Sequence, residues 1–300
     1  MSSLIDTALD RTIAPGYGNV GLVIRKRLPG WPDDPPRMDG KVVLITGAGS
    51  GIGLAAGQGF AKLGATVLAV GRSQERADGA ARAIGGGARG IACDVSSVAA
   101  LKALQVDRLD VLVNNAGVMP DERERSVDGV ELCFATHVLA PWVLIEQFAP
   151  ILERVINVSS GGMYAQGLNS GDLMSERSKY SPKLFYARSK RAEMVITEQW
   201  AERLERPVVH AMHPGWVDTK GVQNWMPVFR AITRPIIRDP EAGADTVVWL
   251  GAAPEPLEST GGFWMDRRRR PTHYRIGASP DSADDRAELW ALCERLAAGA

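Results

Sequence analysis

The chain has 300 residues, enough to bury a substantial core in one large domain or two small ones. Apolar residues make up 45% and charged residues 23%, and 35 basic side chains balance 35 acidic ones, so no long-range attraction to nucleic acid is indicated. Three scattered cysteines (Cys93, Cys133 and Cys293) lack disulfide parity and metal-ligand spacing, which predicts buried thiols, no metal and a reducing, cytoplasmic setting.

Residues 1–40 read as an N-terminal extension. A weak helical segment is followed by Pro29-Gly30-Trp31-Pro32 and Pro35-Pro36, which prevent regular structure. Asp6, Asp10 and Arg11 stand where a signal peptide would be apolar, and no apolar run approaches the ~20 residues that cross a bilayer. Residues 20–28 are apolar and then basic, a composition that could rest on a membrane surface. Packing of the arm on the domain is the preferred expectation.

From Lys41 onward, β-branched apolar runs alternate with helical stretches. Strands are predicted at 42–46, 66–70, 90–93, 109–113, 154–159, 208–212 and 262–265. Helices are predicted near 51–63, 73–84, 96–104, 127–150, 183–205 and 241–252. This alternation predicts one α/β domain over 41–300, a Rossmann-type doubly wound, seven-stranded parallel sheet with helices on both faces. Its ligand edge would lie at the strand C-terminal ends. A last helix near 283–298 has Leu289, Trp290, Cys293 and Leu296 on one stripe, which fits packing or an oligomer contact.

The first predicted strand runs into Thr46-Gly47-Ala48-Gly49-Ser50-Gly51-Ile52-Gly53. Pyrophosphate needs close backbone approach and unpaired N–H groups, and a glycine-rich turn that opens a helix supplies both. Gly47, Ser50, Gly51, Ile52 and Gly53 are therefore candidate cofactor contacts. The second strand ends at Gly71-Arg72 rather than at the acid that would hold ribose hydroxyls. Arg72 could pair with a 2′-phosphate, so NADP(H) is expected and NAD(H) is the lesser alternative.

Further along come Asn114-Asn115-Ala116-Gly117 after the fourth strand, Ser159-Ser160 after the fifth, and Tyr186 four residues before Lys190. In this order, with the Thr46 to Gly53 turn, the chain resembles the short-chain dehydrogenase/reductase family from about residue 40 to 265. Residues 154–163, the Met212-His213-Pro214-Gly215-Trp216 run through Thr219, and residues 262–266 most resemble the dehydrogenase/reductase member 12 group.

The resemblance implies an NADP(H)-dependent oxidoreductase interconverting a carbonyl and an alcohol. Tyr186 would be the general acid/base. Lys190, on the same helical face, would favour its phenolate and bind the nicotinamide ribose. Ser160 would polarise the substrate oxygen by donating its hydroxyl. By the same likeness Asp94 and Val95 flank the adenine, and Asn115, Ala116 and Gly117 border the nicotinamide side. Pro214, Gly215 and Thr219 would close over nicotinamide and phosphates. His137 stands where the family has a catalytic Asn; it could keep a helix distortion and relay protons, or act only structurally. That change motivates the alternative of a cofactor-binding, weakly catalytic regulatory or scaffold protein. A nucleotide-sugar epimerase or dehydratase, which can share the Tyr-xxx-Lys pair, is disfavoured by the glycine spacing.

Ser160 and Tyr186 are 26 positions apart, so an added segment at 163–182 should border the substrate pocket. The other wall would be a lid at about 216–239 with Trp216, Trp225, Met226, Phe229 and Ile236, which suits a bulky, apolar small-molecule carbonyl or alcohol. Arg267-Arg268-Arg269-Arg270 reads as a solvated turn rather than a nucleic-acid patch. A homo-oligomer is compatible with these features.

Overall fold

The computed structural model describes residues 4–169, 171–225, 227–274 and 280–299. Among the described residues, eight strands form one sheet: β1 (Val42–Thr46), β2 (Thr66–Gly71), β3 (Arg89–Ala92), β4 (Val111–Asn114), β5 (Arg154–Val158), β6 (Val208–Met212), β7 (Phe263–Met265) and β8 (Arg268–Arg270). Their spatial order is β3-β2-β1-β4-β5-β6-β7-β8, and every pairing is parallel except β7 with β8. The order reverses between β1 and β4, which opens a crevice at the strand C-terminal ends.

Burial on both faces explains the continuous apolar runs. Along β1, Val43 and Ile45 join one core with Val67, Phe60 and Trp249, while Leu44 joins the opposite core with Leu112, Val155 and Trp142. The layers come from α4 (Gly51–Lys62), α5 (Gln74–Ile84), α6 (Val98–Lys102), α7 (Leu132–Phe134), α8 (Ala140–Phe148), α9 (Pro182–Arg203), α10 (Lys220–Trp225), α11 (Pro227–Thr233), α12 (Pro240–Ala252) and α13 (Ala283–Ala298), after three arm helices, α1 (Leu4–Arg11), α2 (Ile13–Tyr17) and α3 (Asn19–Lys26). Local chemistry marks several starts. Ser73 accepts the N–H of Arg76 at α5, and Asp239, followed by Pro240, accepts that of Ala242 at α12.

Three sequence expectations change. The sheet has an eighth, antiparallel strand, built from the arginine run itself. That run is not a solvated turn: Arg267 and Arg270 are buried, Arg268 is half-buried and Arg269 is exposed. Arg267 pairs with Asp245 at 2.8 Å and Arg270 with Asp6 at 3.0 Å, partners too distant in sequence to be foreseen. Finally, helical residues Leu132–Ile151 are long and apolar enough to cross a membrane by length and composition, but 78% of that window is buried inside the fold, so it is a core segment.

The arm packs on the domain. Leu22 and Arg25 of α3 are buried, while Val20 and Val23 remain exposed. Arg25 pairs with Asp6 at 2.9 Å and Asp266 at 2.6 Å. At the other terminus, α13 buries Leu289 and Cys293, and Trp290 meets Trp142 and Trp200 with ring centroids 5.5 and 4.7 Å apart.

Candidate active site

Thr46 couples the two central strands. Its Oγ1 accepts the N–H groups of Asn115 and Ala116, both at 3.0 Å, and Asn115 Nδ2 donates back to the carbonyls of Thr46 (2.9 Å) and Gly47 (3.2 Å). Gly47 turns the chain at φ +66°, and a Cβ there would lie 2.9 Å from Ala116 Cα. A Cβ on Gly53 would lie 2.4 Å from Asn115 Nδ2, so only glycine lets α4 begin this close to the turn.

Ser50 caps α4 without a side-chain bond, and the first N–H groups of a helix have no intrahelical partner. They form a concave donor set of the kind that holds a phosphate. Thr219 lies over the turn: a Cβ at Gly51 would come 3.1 Å from its Cγ2. These residues fit the pyrophosphate of a dinucleotide on geometry alone.

Arg72 follows β2, is exposed, and has no hydrogen-bond or ion-pair partner among the described residues. Asp94 holds its loop by accepting from the backbone N–H (3.0 Å) and hydroxyl (2.8 Å) of Ser96, and Val95 is buried beside it.

Ser160 lies just past β5, where its Oγ accepts the N–H of Gly162 at 3.1 Å and its hydroxyl reaches the Tyr186 phenol. Tyr186 and Lys190 share one face of α9, and Lys190 Nζ is 6.0 Å from the centre of the tyrosine ring. Lys190 donates to the carbonyl of Val158 at 2.8 Å. Burial raises the phenol above its ordinary value. Lys190 and then Ser160 pull it down, but they do not win in the protein alone. The lysine thus acts in the expected direction, against a larger desolvation.

His137 sits in a π-turn, Ala135–Leu139, between α7 and α8. Its Nε2 accepts the N–H of Val118 at 3.0 Å. Nδ1 must then carry the proton and donates to Ser189 Oγ at 2.8 Å, and Ser189 donates on to the carbonyl of Tyr186, also at 2.8 Å. Burial, then the charge of Lys190, holds the imidazole well below its ordinary pKa. The ring packs edge-on to Tyr186 at 5.4 Å. His137 therefore joins the loop after β4 to α9 with both nitrogens engaged.

Pro214 and Gly215 are held from beneath. Arg238 donates to the carbonyl of Pro214 at 3.1 Å and forms a bidentate pair with Asp266 at 2.6 and 2.9 Å. The lid beyond is closed on itself: Arg230 clasps Asp218 at 2.7 and 2.9 Å, and Trp216 meets Phe229 edge-on at 5.0 Å. Ile236 accepts the N–H of Asn19 at 2.6 Å, which joins arm to lid. Met226 and the side chain of Trp225 lie outside the described residues. The 163–182 segment leans on the loop after β4, with Tyr180 donating to the carbonyl of Pro120 at 2.5 Å and Arg123 to that of Ser175 at 2.9 Å.

Two functional neighbours escaped the sequence reading. Tyr17 of the arm packs on His213 at 4.6 Å, and its carbonyl accepts the N–H of Trp216 at 2.8 Å. Glu193, one turn beyond Lys190, is buried against the lysine; its place at i+3 from Lys190, just ahead of the apolar Met194–Ile196 run, was its only sequence signal.

Residues 41–227 match the short chain dehydrogenase family. The chain is 39% identical to the Bos taurus protein named Dehydrogenase/reductase SDR family member 12, over 89% of each chain. It is 32% identical to Retinol dehydrogenase 14 of Mus musculus, over 78% of this chain and 80% of that one. Among solved structures it resembles 3-ketoacyl-(acyl-carrier-protein) reductase from Brucella melitensis complexed with NADH, at 26% identity and TM-score 0.59, over 75% of this chain and 96% of that one. Fold, motif order and these likenesses agree: the chain belongs to the short-chain dehydrogenase/reductase family, and its named relatives support an oxidoreductase of carbonyls and alcohols.

Proposed function

We propose that the protein is an NADP(H)-dependent oxidoreductase acting on a bulky, apolar carbonyl or alcohol. The observation that carries this is the convergence of Ser160, Tyr186 and Lys190 on the sheet that also carries the glycine turn, with Arg72, unpaired among the described residues, just past β2. The bound dinucleotide supplies or accepts the hydride. Gly47, Gly51, Ile52, Gly53 and Thr219 would hold its pyrophosphate and Arg72 its 2′-phosphate. Asp94 and Val95 would flank the adenine; Asn115, Ala116, Gly117, Pro214 and Gly215 would border the nicotinamide.

The chain's own residues handle the oxygen and its proton. Ser160 donates its hydroxyl to the substrate oxygen, Tyr186 gives or takes the proton at Oη, and Lys190 offsets the cost of the phenolate. His137 is a positioning residue in this reading, since both ring nitrogens are engaged and the imidazole stays neutral. Its π-turn is intact, so the histidine favours no weakly catalytic reading. The apolar lid ring pair, Trp216 and Phe229, supports an apolar substrate. Three buried, unpaired thiols support a reducing, cytoplasmic location.

The test is steady-state NADPH oxidation with apolar ketones and aldehydes. Tyr186→Phe is expected to abolish turnover while leaving NADPH fluorescence binding intact, and Ser160→Ala to slow it about 100-fold or more. Full activity in Tyr186→Phe would overturn the assignment.

A further inference from the structure

Glu193 is a charged group in a place that normally excludes one. Its side chain is 1% exposed, and its two carboxylate oxygens lie 3.1 and 3.2 Å from Lys190 Nζ, itself 3% exposed. Desolvating a carboxylate is costly unless it is paired. Its ion-pair partner is the lysine whose charge acts on the Tyr186 phenol. Val158 also accepts from Lys190, at 2.8 Å, so three protein oxygens share the three donors of the ammonium.

We propose that Glu193 is a positioning residue for the Lys190–Tyr186 pair: its carboxylate offsets the ammonium at the phenol and suits the site to carbonyl reduction, in which Tyr186 gives up its proton. This rests on Tyr186 being the proton donor. In that direction the carbonyl carbon gains hydride from the reduced dinucleotide, which is oxidised. The Tyr186 Oη–H bond breaks, and its proton goes to the former carbonyl oxygen.

The groups facing the phenol are Lys190 and Glu193 from α9, Ser160 from the end of β5, His137 from the π-turn and Cys133 from α7. Burial keeps the imidazole and the thiol uncharged near neutrality. Lys190 and Glu193 are therefore the charged pair at the phenol, and Glu193 itself faces Lys190 and Ser159. Burial pushes the Glu193 carboxyl up to about 7, with Lys190 opposing. Above that pH the ionised carboxylate cancels part of the lysine's field and the phenol keeps its proton. Below it, the ammonium acts alone and draws the phenol's proton affinity down.

Difference absorbance at the phenolate band, with Tyr186→Phe subtracted, reads this directly in the protein without cofactor. Glu193→Gln is expected to lower the Tyr186 midpoint by about one pH unit, a tenfold gain in phenolate. Glu193→Met should do the same without a polar group, and Glu193→Asp should stay near wild type. The alkaline limb of kcat/KM for NADPH-dependent reduction should shift down with the midpoint. An unshifted or raised midpoint in whichever neutral variant folds, judged by circular dichroism, overturns the inference. Full turnover in Tyr186→Phe instead overturns the role of Tyr186 and leaves the titration result standing.

Discussion

The Tyr186 phenol sits above its ordinary pKa because burial outweighs Lys190 and Ser160, and Glu193 adds to the burial. The Ser160, Tyr186 and Lys190 set was legible in the sequence because the helical period places i and i+4 together and a strand end presents Ser160. Glu193 was not, since a glutamate on a helix is ordinarily solvated and only packing reveals that this one is not. His137 was legible as a departure, but its two hydrogen bonds depend on Val118 and Ser189, far from it in sequence. Arg72 carries the residue-scale test of cofactor choice. A charge-assisted bond to a 2′-phosphate is worth about 1.5–3 kcal/mol, so Arg72→Ala is expected to raise the NADPH dissociation constant roughly 10- to 100-fold and barely alter that for NADH. Equal weakening of both, by fluorescence titration, would defeat the 2′-phosphate assignment.

At the scale of elements, the strands of the doubly wound core were readable as β-branched runs, and β1 and β6 keep the predicted bounds. Strand β8 escaped because Arg268–Arg270 carries no apolar signal; Arg268 and Arg270 reach Asp6, and Arg268 also donates to the carbonyl of Pro29. The same kind of tie fastens the arm to the Pro214–Gly215 loop. Asp266 takes Arg25 and Arg238 together, and Arg238 in turn holds the carbonyls of Pro214 and Gly18. Asp266 sits at φ +53°, a conformation asparagine also tolerates, so Asp266→Asn removes the charge without adding backbone strain. Leaving two buried arginines short of a partner is expected to cost about 3–5 kcal/mol in urea denaturation and to weaken NADPH binding as the Pro214 loop loosens. A loss under about 1 kcal/mol would mean the network is not holding the arm.

For the whole molecule, buried titratable groups set the response to acid. Burial holds His213 down to about 3 and depresses His137 and His210. Unfolded histidine takes up a proton below about 6.5 while these do not, so each contributes stability that is lost as pH falls through that value. Glu193, raised to about 7, works the other way, because its folded form binds a proton that the unfolded chain releases above its lower pKa. His273 is lowered too, and Glu131 and Glu146 are raised with Glu193, so four histidines against three glutamates make the net slope positive, each proton contributing at most about 1.4 kcal/mol per pH unit. Asp6 and Asp266, held low by arginines despite burial, add a further loss only below their unfolded range. Urea midpoints at pH 5, 6 and 7 are expected to rise with pH; a flat or falling series would contradict this balance.

Periodicity and motif order sufficed for the α/β class, the glycine turn and the placement of Tyr186 with Lys190 on one face of α9, because each depends on short-range spacing along one strand or helix. Neutral His137, buried Glu193, the eighth strand and the arm's ionic anchorage were decided only by the tertiary structure. Each is a charged or polar group whose cost or gain depends on partners brought near by folding, and linear order does not encode that environment.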